Sequence, residues 1–478
     1  MLTLPSELSL LVLEQAAGTD AHDARAYSHV NQRWRRLALG TPSLWTVLDS
    51  RLGPSAARIY LERAKERSLD IRVVQRGIEL DEASYYRSLD DFFAVAFHHA
   101  PRWSCFTIDA SLTRAVELVT NLIANVFVSQ RFEPIPILDA VNFRVNPNIA
   151  HDLKQEPEPY QQMREALFLT RSLTLGAVPA WEERYFTSLL TTLHLLDFEG
   201  RGSLRAPDLA HLTRVLSRTP NLQELLLDAS GPSSTRNVAS QVQAADVELQ
   251  YLSTLTICST QAVLIPPFLS LLRMPALRVL HLNLRGTGGV ILSALRALPR
   301  TTPLVELRIA TSDPPPSVPA LQWPPYLPTR RRKKVPKPDP VVTWQEALSF
   351  QELELLSTDG IGLDNDALEC LAALPKLGRL ELRSEHLIDA DNLRSLLHRR
   401  LEEPNVSAIR HLEVALCKGL DDAAKDTLRP LVPTFAWLSA EETDDEDDDE
   451  FVADNTDDEE DYSDSDPDIA WDEGPSSR

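Results

Sequence analysis

The sequence predicts an α/β chain, in which a small helical unit is followed by a solenoid of stacked strand-and-helix repeats and then by a disordered acidic tail. Three observations predict it. A spaced apolar template recurs along the 478 residues, helical patterns fill most intervals between its copies, and the negative charge is gathered at one end.

The template is an apolar residue, two variable residues, an apolar residue, one variable residue and a third apolar residue. It reads Leu190-x-x-Leu193-x-Leu195, Leu222-x-x-Leu225-x-Leu227, Leu252-x-x-Leu255-x-Ile257, Leu277-x-x-Leu280-x-Leu282 and Leu304-x-x-Leu307-x-Ile309. It returns as Phe350-x-x-Leu353-x-Leu355, Leu377-x-x-Leu380-x-Leu382 and Ile409-x-x-Leu412-x-Val414. Weaker copies precede these at Trp103-x-x-Phe106-x-Ile108, Leu138-x-x-Val141-x-Phe143 and Leu173-x-Leu175. The clear copies are 25 to 32 residues apart, except for 46 between Leu304 and Phe350, and Leu209-x-x-Leu212-x-x-Val215-Leu216 is typical of the helical spacers. One strand and one helix per unit make a leucine-rich solenoid. A single unit cannot cover its own leucines, whereas stacked units bury them in a continuous core at roughly 1.5 to 3 kcal/mol per side chain. Eight clear copies with helical spacers outweigh the alternative of ordinary α/β structure. The Asn that often follows the strand in standard repeats is mostly absent, as in Asp197-Phe198-Glu199 and Ala229-Ser230-Gly231, so an uneven arc is expected.

In front of the repeats, Leu4, Leu8, Leu11 and Val12 recur at helical spacing and share a face, with Leu10, Leu13 and Ala17 forming a second apolar stripe. Asp23 to Leu39 repeats the helical period, with Val30, Trp34 and Leu37 on one side and Arg33, Arg35 and Arg36 towards water; Asn31 can cap the helix carrying Trp34. Thr41-Pro42 reads as the cap and first residue of a helix through Leu48. A unit of about 45 residues is too small to stabilise itself on one core, so its surplus apolar surface faces either a partner or the rest of the chain.

Leu4-Pro5-x-Glu7-Leu8, Val30-Asn31-x-x-Trp34-Arg35-x-Leu37-Ala38 and Pro42-x-Leu44-Trp45 together resemble an F-box, in the form common in fungal F-box proteins with leucine-rich C-terminal repeats. The motifs cover about a tenth of the chain. They depart from the family at Asn31, where Ser is frequent, and in the polar insert Gly18 to Asp23. The resemblance implies docking to the Skp adaptor of a cullin-RING ubiquitin ligase. It places Leu4, Pro5, Leu8 and Leu11 in adaptor contact, has Val30, Trp34 and Trp45 support the helical arrangement, and leaves the repeats to bind a target protein.

The net charge of −22 is uneven: from Ser439 onward there are 20 Asp or Glu and one Arg, which leaves −3 for the preceding 438 residues. Such a tail repels itself and has little to bury, so residues 439–478 should be disordered. Ser463 and Ser465 each have an acid three residues downstream and are candidate phosphosites for acidophilic kinases. The domains expected are a helical unit over 1–50, a helix-and-strand linker or first repeat over 51–100, a solenoid over 101–438, and the tail. A proline-rich loop at 312–344 interrupts the solenoid, since proline neither continues a helix nor donates to an inner strand. It carries Arg330, Arg331, Arg332, Lys333, Lys334 and Lys337, which read as a nuclear-import signal, a contact for an acidic partner or a solvated charge run.

Cys105, Cys258, Cys370 and Cys417 are scattered without a CxxC pair, which points to a reducing compartment and away from a disulfide scaffold or a zinc site. Glu7 and Glu14 interrupt the N-terminal leucines, so no secretory leader is expected, and no apolar run reaches membrane-spanning length. A cytoplasmic or nuclear protein follows. GxGxxG after a strand, GxxxxGK[ST], HExxH and GxSxG are all missing, and His98-His99 lacks neighbours to complete a metal-ligand set. The expectation is therefore a non-catalytic chain without cofactor, metal or direct nucleic-acid contact. Leucine-rich repeats with an acidic tail also resemble acidic nuclear phosphoproteins that bind histones or other basic proteins. That resemblance gives the second reading.

Overall fold

The computed structural model describes residues 5–16, 23–74, 82–110, 138–145, 170–176, 186–196, 209–229, 246–259, 265–284, 288–311, 344–417 and 419–438. Three short helices open the chain: α1 (Ser6–Ala16), α2 (Asp23–Val30) and α3 (Gln32–Gly40). Asn31 separates the last two, and its Oδ1 accepts the backbone N–H of Trp34 at 2.9 Å, as an N-cap should.

The helix expected from Thr41 to Leu48 is instead one 3-10 turn, Pro42–Trp45, followed by β1 (Val47–Asp49). Thr41 makes no side-chain cap; its Oγ1 donates back to Leu37 O at 2.7 Å. Extending the strand gives Leu48 a place beside Ile71 in a parallel ladder that a continued helix would forgo. The sheet therefore begins at residue 47.

Behind it come α4 (Gly53–Ala64), β2 (Leu69–Val74), α5 (Glu82–Ala96), β3 (Trp103–Ala110), β4 (Ala140–Val145), β5 (Ser172–Gly176), β6 (Thr192–Leu196), α6 (Leu209–Ser217) and β7 (Glu224–Ala229). Next are β8 (Val247–Glu248), β9 (Thr254–Ser259), α7 (Ile265–Ser270), β10 (Leu272–Arg273), β11 (Val279–Leu284), α8 (Gly288–Arg296), β12 (Glu306–Ala310), α9 (Trp344–Ala347) and β13 (Leu355–Asp359). The series closes with α10 (Asn365–Ala372), β14 (Arg379–Arg383), α11 (Ala390–Glu402), β15 (His411–Ala415), α12 (Asp422–Leu428) and β16 (Thr434–Leu438). Fourteen of these strands form one parallel sheet in chain order, while β8 and β10 pair with each other. Neighbouring strands adjacent in sequence and all parallel are compatible with a solenoid-like repeat.

The template explains the sheet. Its first apolar residue closes a turn at the strand entrance, as where Leu222 N donates to Thr219 O and Leu277 N to Met274 O. The other two alternate along the strand and so point to one face. Leu193, Leu225, Leu255, Leu280 and Leu307 stand in register across five strands, as do Leu195, Leu227, Ile257, Leu282 and Ile309, and all are buried.

One copy is displaced from its expected register. Phe350-x-x-Leu353-x-Leu355 is not the inward set; Leu307 pairs with Leu356 and Ile309 with Thr358, so the unit reads Leu353-x-x-Leu356-x-Thr358. Leu353 N donates to Phe350 O, which puts Phe350 in the place that Met274 and Thr219 hold in their units. Leu355 is correspondingly only half-buried.

At the front of the sheet the core is aromatic: Phe93, Phe97, Trp103 and Phe106 stack in succession at 5.0, 5.4 and 5.9 Å between ring centroids. At its far end Phe435 and Trp437 stack at 5.8 Å on β16 and pack half-buried against the core. Among the described residues no helix is long and apolar enough to cross a membrane.

Candidate docking surfaces

Among the described residues, one side of the front helices and the outward face of the sheet carry side chains exposed to solvent. On α1 the apolar residues divide. Leu13 is fully buried, and Ser9 beside it donates its hydroxyl to Pro5 O at 3.1 Å. Leu8, Leu11 and Val12 stand 48%, 60% and 51% exposed. Spacings of three and four residues align them along one stripe of the helix. Val30, expected to support the helical arrangement, is 59% exposed at the end of α2, and Leu39 on α3 is exposed as well. Five of the eleven exposed large apolar side chains thus lie between Leu8 and Leu39, which makes this the greasiest open stretch described.

The tryptophans have the opposite placement. Trp45 is buried, donates Nε1 to Ala38 O at 2.7 Å, meets the edge of Tyr60 at 4.9 Å and carries the Arg63 guanidinium 4.2 Å above its ring. It therefore ties α3 to α4 from inside. Trp34 is half-buried, with Tyr27 edge-on at 6.1 Å. Pro5 is exposed, and Ser43 Oγ donates to Glu14 Oε1 at 2.8 Å, fastening α1 to the 3-10 turn. Leu4 lies outside the described residues, as do the cluster from Arg330 to Lys337, the rest of the loop up to residue 343, Ser463, Ser465 and the tail.

The sheet face is polar and internally paired. His194 Nε2 lies 3.1 Å from Glu224 Oε1 on the next strand, and His281 Nε2 lies 3.0 Å from Glu306 Oε1. Arg308 Nε also donates to Glu306 Oε1, at 2.6 Å. Burial opposes ionisation of Glu306, but the hydrogen bonds from Arg308 and His281 outweigh it and hold the carboxyl below its usual value. Small Ser357 stands between Arg308 and Glu381 in the register, and the guanidinium reaches across it to within 3.9 Å of Glu381 Oε2. Arg379 and Arg383 pair with Glu381 and Glu413. The arginines are nearly half exposed, so solvent screens these pairs in part, while the buried Glu381 depends on them for its charge.

Further buried polar groups lie where successive strand-and-helix units meet. Gly360, Ser384 and Leu416 follow three successive strands and share positive φ of 64°, 51° and 56°, so each chain turns inward there. The next residues, Ile361, Glu385 and Cys417, are all buried. Glu385 accepts the N–H of Ile361 at 3.3 Å and of Leu363 at 2.9 Å, bonding one unit to the previous one. Arg400 on α11 is buried too and donates to the carbonyls of Leu371, Leu374, Leu377 and Ser407 at 2.6 to 2.8 Å. Neither residue stands out by type, since an isolated Glu or Arg in a helical or loop stretch reads as surface.

The four cysteines are free. Burial pushes Cys105 up to about 12 and Cys417 up to about 11, so both are thiols at neutral pH. His98 is exposed, and burial followed by the Arg102 charge lowers the pKa of His99. Asp364 caps α10 by accepting Ala367 N–H at 2.9 Å.

No family model and no curated protein matches the chain. Among solved structures it is similar to a Bacteroides fragilis protein, at 12% identity over 70% of this chain and 74% of that one, with a TM-score of 0.32. It is also similar to a chain from the yeast complex of Rad7 and Elc1, at 13% identity over 90% of this chain and 92% of that one, with a TM-score of 0.31.

Proposed function

We propose that the chain is the substrate-recognition subunit of a cullin-RING ubiquitin ligase, docking on the Skp adaptor through α1 to α3 and holding a target protein on the repeats. The observation that carries this reading is the row of Leu8, Leu11 and Val12, left open to solvent on a unit whose motifs resemble an F-box. Leu13, one step round the same helix, is buried in the common core, so α1 is held by a different side from the one that carries the open row. Covering such half-exposed side chains is worth roughly 1 kcal/mol each at about 25 cal/mol per Å². The chain supplies no acid, base or nucleophile in this role. It raises the effective concentration of a target lysine near the ubiquitin-loaded enzyme, with both docked at once.

The polar sheet face, where Arg308 and Arg379 stand nearly half exposed over Glu306 and the buried Glu381, would hold the target. Arg330 to Lys337 would act as an import signal, giving the ligase a nuclear as well as a cytoplasmic pool, and Ser463 and Ser465 would be modified in the tail. The test is co-purification of the tagged full-length chain with the Skp adaptor. Leu8→Asp, and Pro5→Ala combined with Leu8→Ala, should abolish it while the far-ultraviolet circular dichroism is unchanged. Adaptor binding retained in both variants overturns the reading.

A second reading rests on the 20 acidic residues gathered after Ser439. In it the tail attracts histones or other basic proteins over a salt-dependent range. Deleting residues 439–478 separates the two: the adaptor interaction survives under the first, and histone capture is lost under the second.

A further inference from the structure

One polar cluster on the sheet face is left incomplete by the pairing around it. Glu381 on β14 lies directly opposite Glu413 on β15, and His411 stands two residues before Glu413 on the same face. Like charges directly opposite on neighbouring strands repel, so something must neutralise the pair. The arginines do so at one oxygen each: Arg379 Nε donates to Glu381 Oε1 at 2.7 Å, and Arg383 Nε to Glu413 Oε1 at 3.0 Å. At the other oxygen of Glu381, Arg308 approaches no closer than 3.9 Å. His411 offers the third group. Its Nε2 is buried and has no hydrogen-bond partner. The ligand atoms of Glu381, His411 and Glu413 lie within 4.8 Å of one another, with Glu381 buried and the other two half-buried.

We propose that Glu381, His411 and Glu413 form a binding site for a divalent transition cation of the zinc class. Two carboxylate oxygens and one imidazole nitrogen are a three-ligand set for such an ion, with a fourth position left for water. Imidazole is a common ligand of such ions, and the Nε2 of His411 has no other partner to give up. Arg379 and Arg383 hold each carboxylate by Oε1, which leaves Oε2 of each for the cation. Their positive charge weakens the site for any cation. The imidazole selects against calcium and magnesium, which bind through oxygen ligands and gain nothing from it.

The experiment uses the full-length chain, stripped with a chelator and titrated with Zn²⁺ against a chromophoric competitor, then with Co²⁺ to read coordination from its visible absorption. Wild type should show one tight site above the weak binding of the acidic tail, with tetrahedral-type cobalt bands, and a large excess of Mg²⁺ should not displace the ion. His411→Ala and Glu413→Gln should each weaken that site about 100-fold or more, beyond the roughly 10 to 100-fold typical of losing an outer-shell partner. His281→Ala removes an imidazole already paired with Glu306 and should change nothing. Circular dichroism checks folding, and Glu413→Gln carries the measurement should His411→Ala fail to fold. Wild type without a tight site, or variants that bind as wild type does, would overturn the proposal.

Discussion

Glu385 Oε2 accepts the backbone N–H of Leu363 at 2.9 Å across the boundary between two repeats, and Oε1 takes Ile361 N–H from the same loop. A carboxylate thus does by side chain what strands do by backbone, and it does so fully buried. Burial raises its pKa, and the backbone donors, Leu363 first, only partly offset this.

The first prediction follows from that balance. Because the folded chain holds the Glu385 proton more tightly than the unfolded chain, its contribution to stability is full below the unfolded pKa of about 4.3 and declines as pH rises through the folded value. Glu385→Gln cannot ionise, so its melting temperature should gain on wild type as pH is raised from about 4 towards neutrality. Glu385→Ala strands two buried N–H donors and should cost about 2 to 4 kcal/mol, read as a lower urea midpoint. Parallel melting curves for wild type and Gln across this range would refute the assignment.

Arg400 yields a second prediction. Burial lowers its pKa only to about 10, so it stays charged at neutral pH and must be matched by the carbonyls of Leu371, Leu374, Leu377 and Ser407. Arg400→Met leaves those acceptors without a donor and should cost about 3 kcal/mol or more in chemical denaturation. Arg400→Lys, with a point charge in place of a planar fork, should recover only part.

The repeats were legible for a physical reason: an inward residue must be apolar whatever its neighbours, so Leu193, Leu225 and Leu255 announce the strand period on their own. The register of β13 was not. Phe350, Leu353, Leu355 and Leu356 satisfy two overlapping templates, and the deciding inward position holds Thr358, a polar residue. Glu385 and Arg400 were missed because their partners are backbone groups of other units, which no local pattern reveals. On the front helices, the stripe of Leu8, Leu11 and Val12 was visible as a period. Which of its neighbours face inward depended on how α1 to α3 pack, and that placed Trp45 inside and Val30 outside. The charge pairs of the sheet face needed the lateral register and could not be read from one strand.

A third prediction concerns the cap at Asn31. Asn31→Ala removes the acceptor for Trp34 N–H and should destabilise the front unit by about 1 kcal/mol, seen as faster amide exchange in α3. Asn31→Ser should be close to neutral, since serine caps as well as asparagine does. Equal loss in both would mean that the asparagine acts through something other than the cap.

The last prediction separates surface from core on a single helix. Leu8 and Leu13 are five residues apart on α1, one 48% exposed and the other fully buried. Leu8→Asp keeps its charge in water and should change stability by no more than about 0.5 kcal/mol, the usual range for surface substitutions. Leu13→Asp puts a carboxylate in the apolar core without a partner, and should unfold the front helices or cost several kcal/mol. Both variants should lose the adaptor, but for different reasons, and amide exchange over residues 5–45 tells them apart: protection is preserved in Leu8→Asp and lost in Leu13→Asp. If Leu8→Asp also loses protection, the exposed row belongs to the fold of the unit and cannot be offered as a docking face.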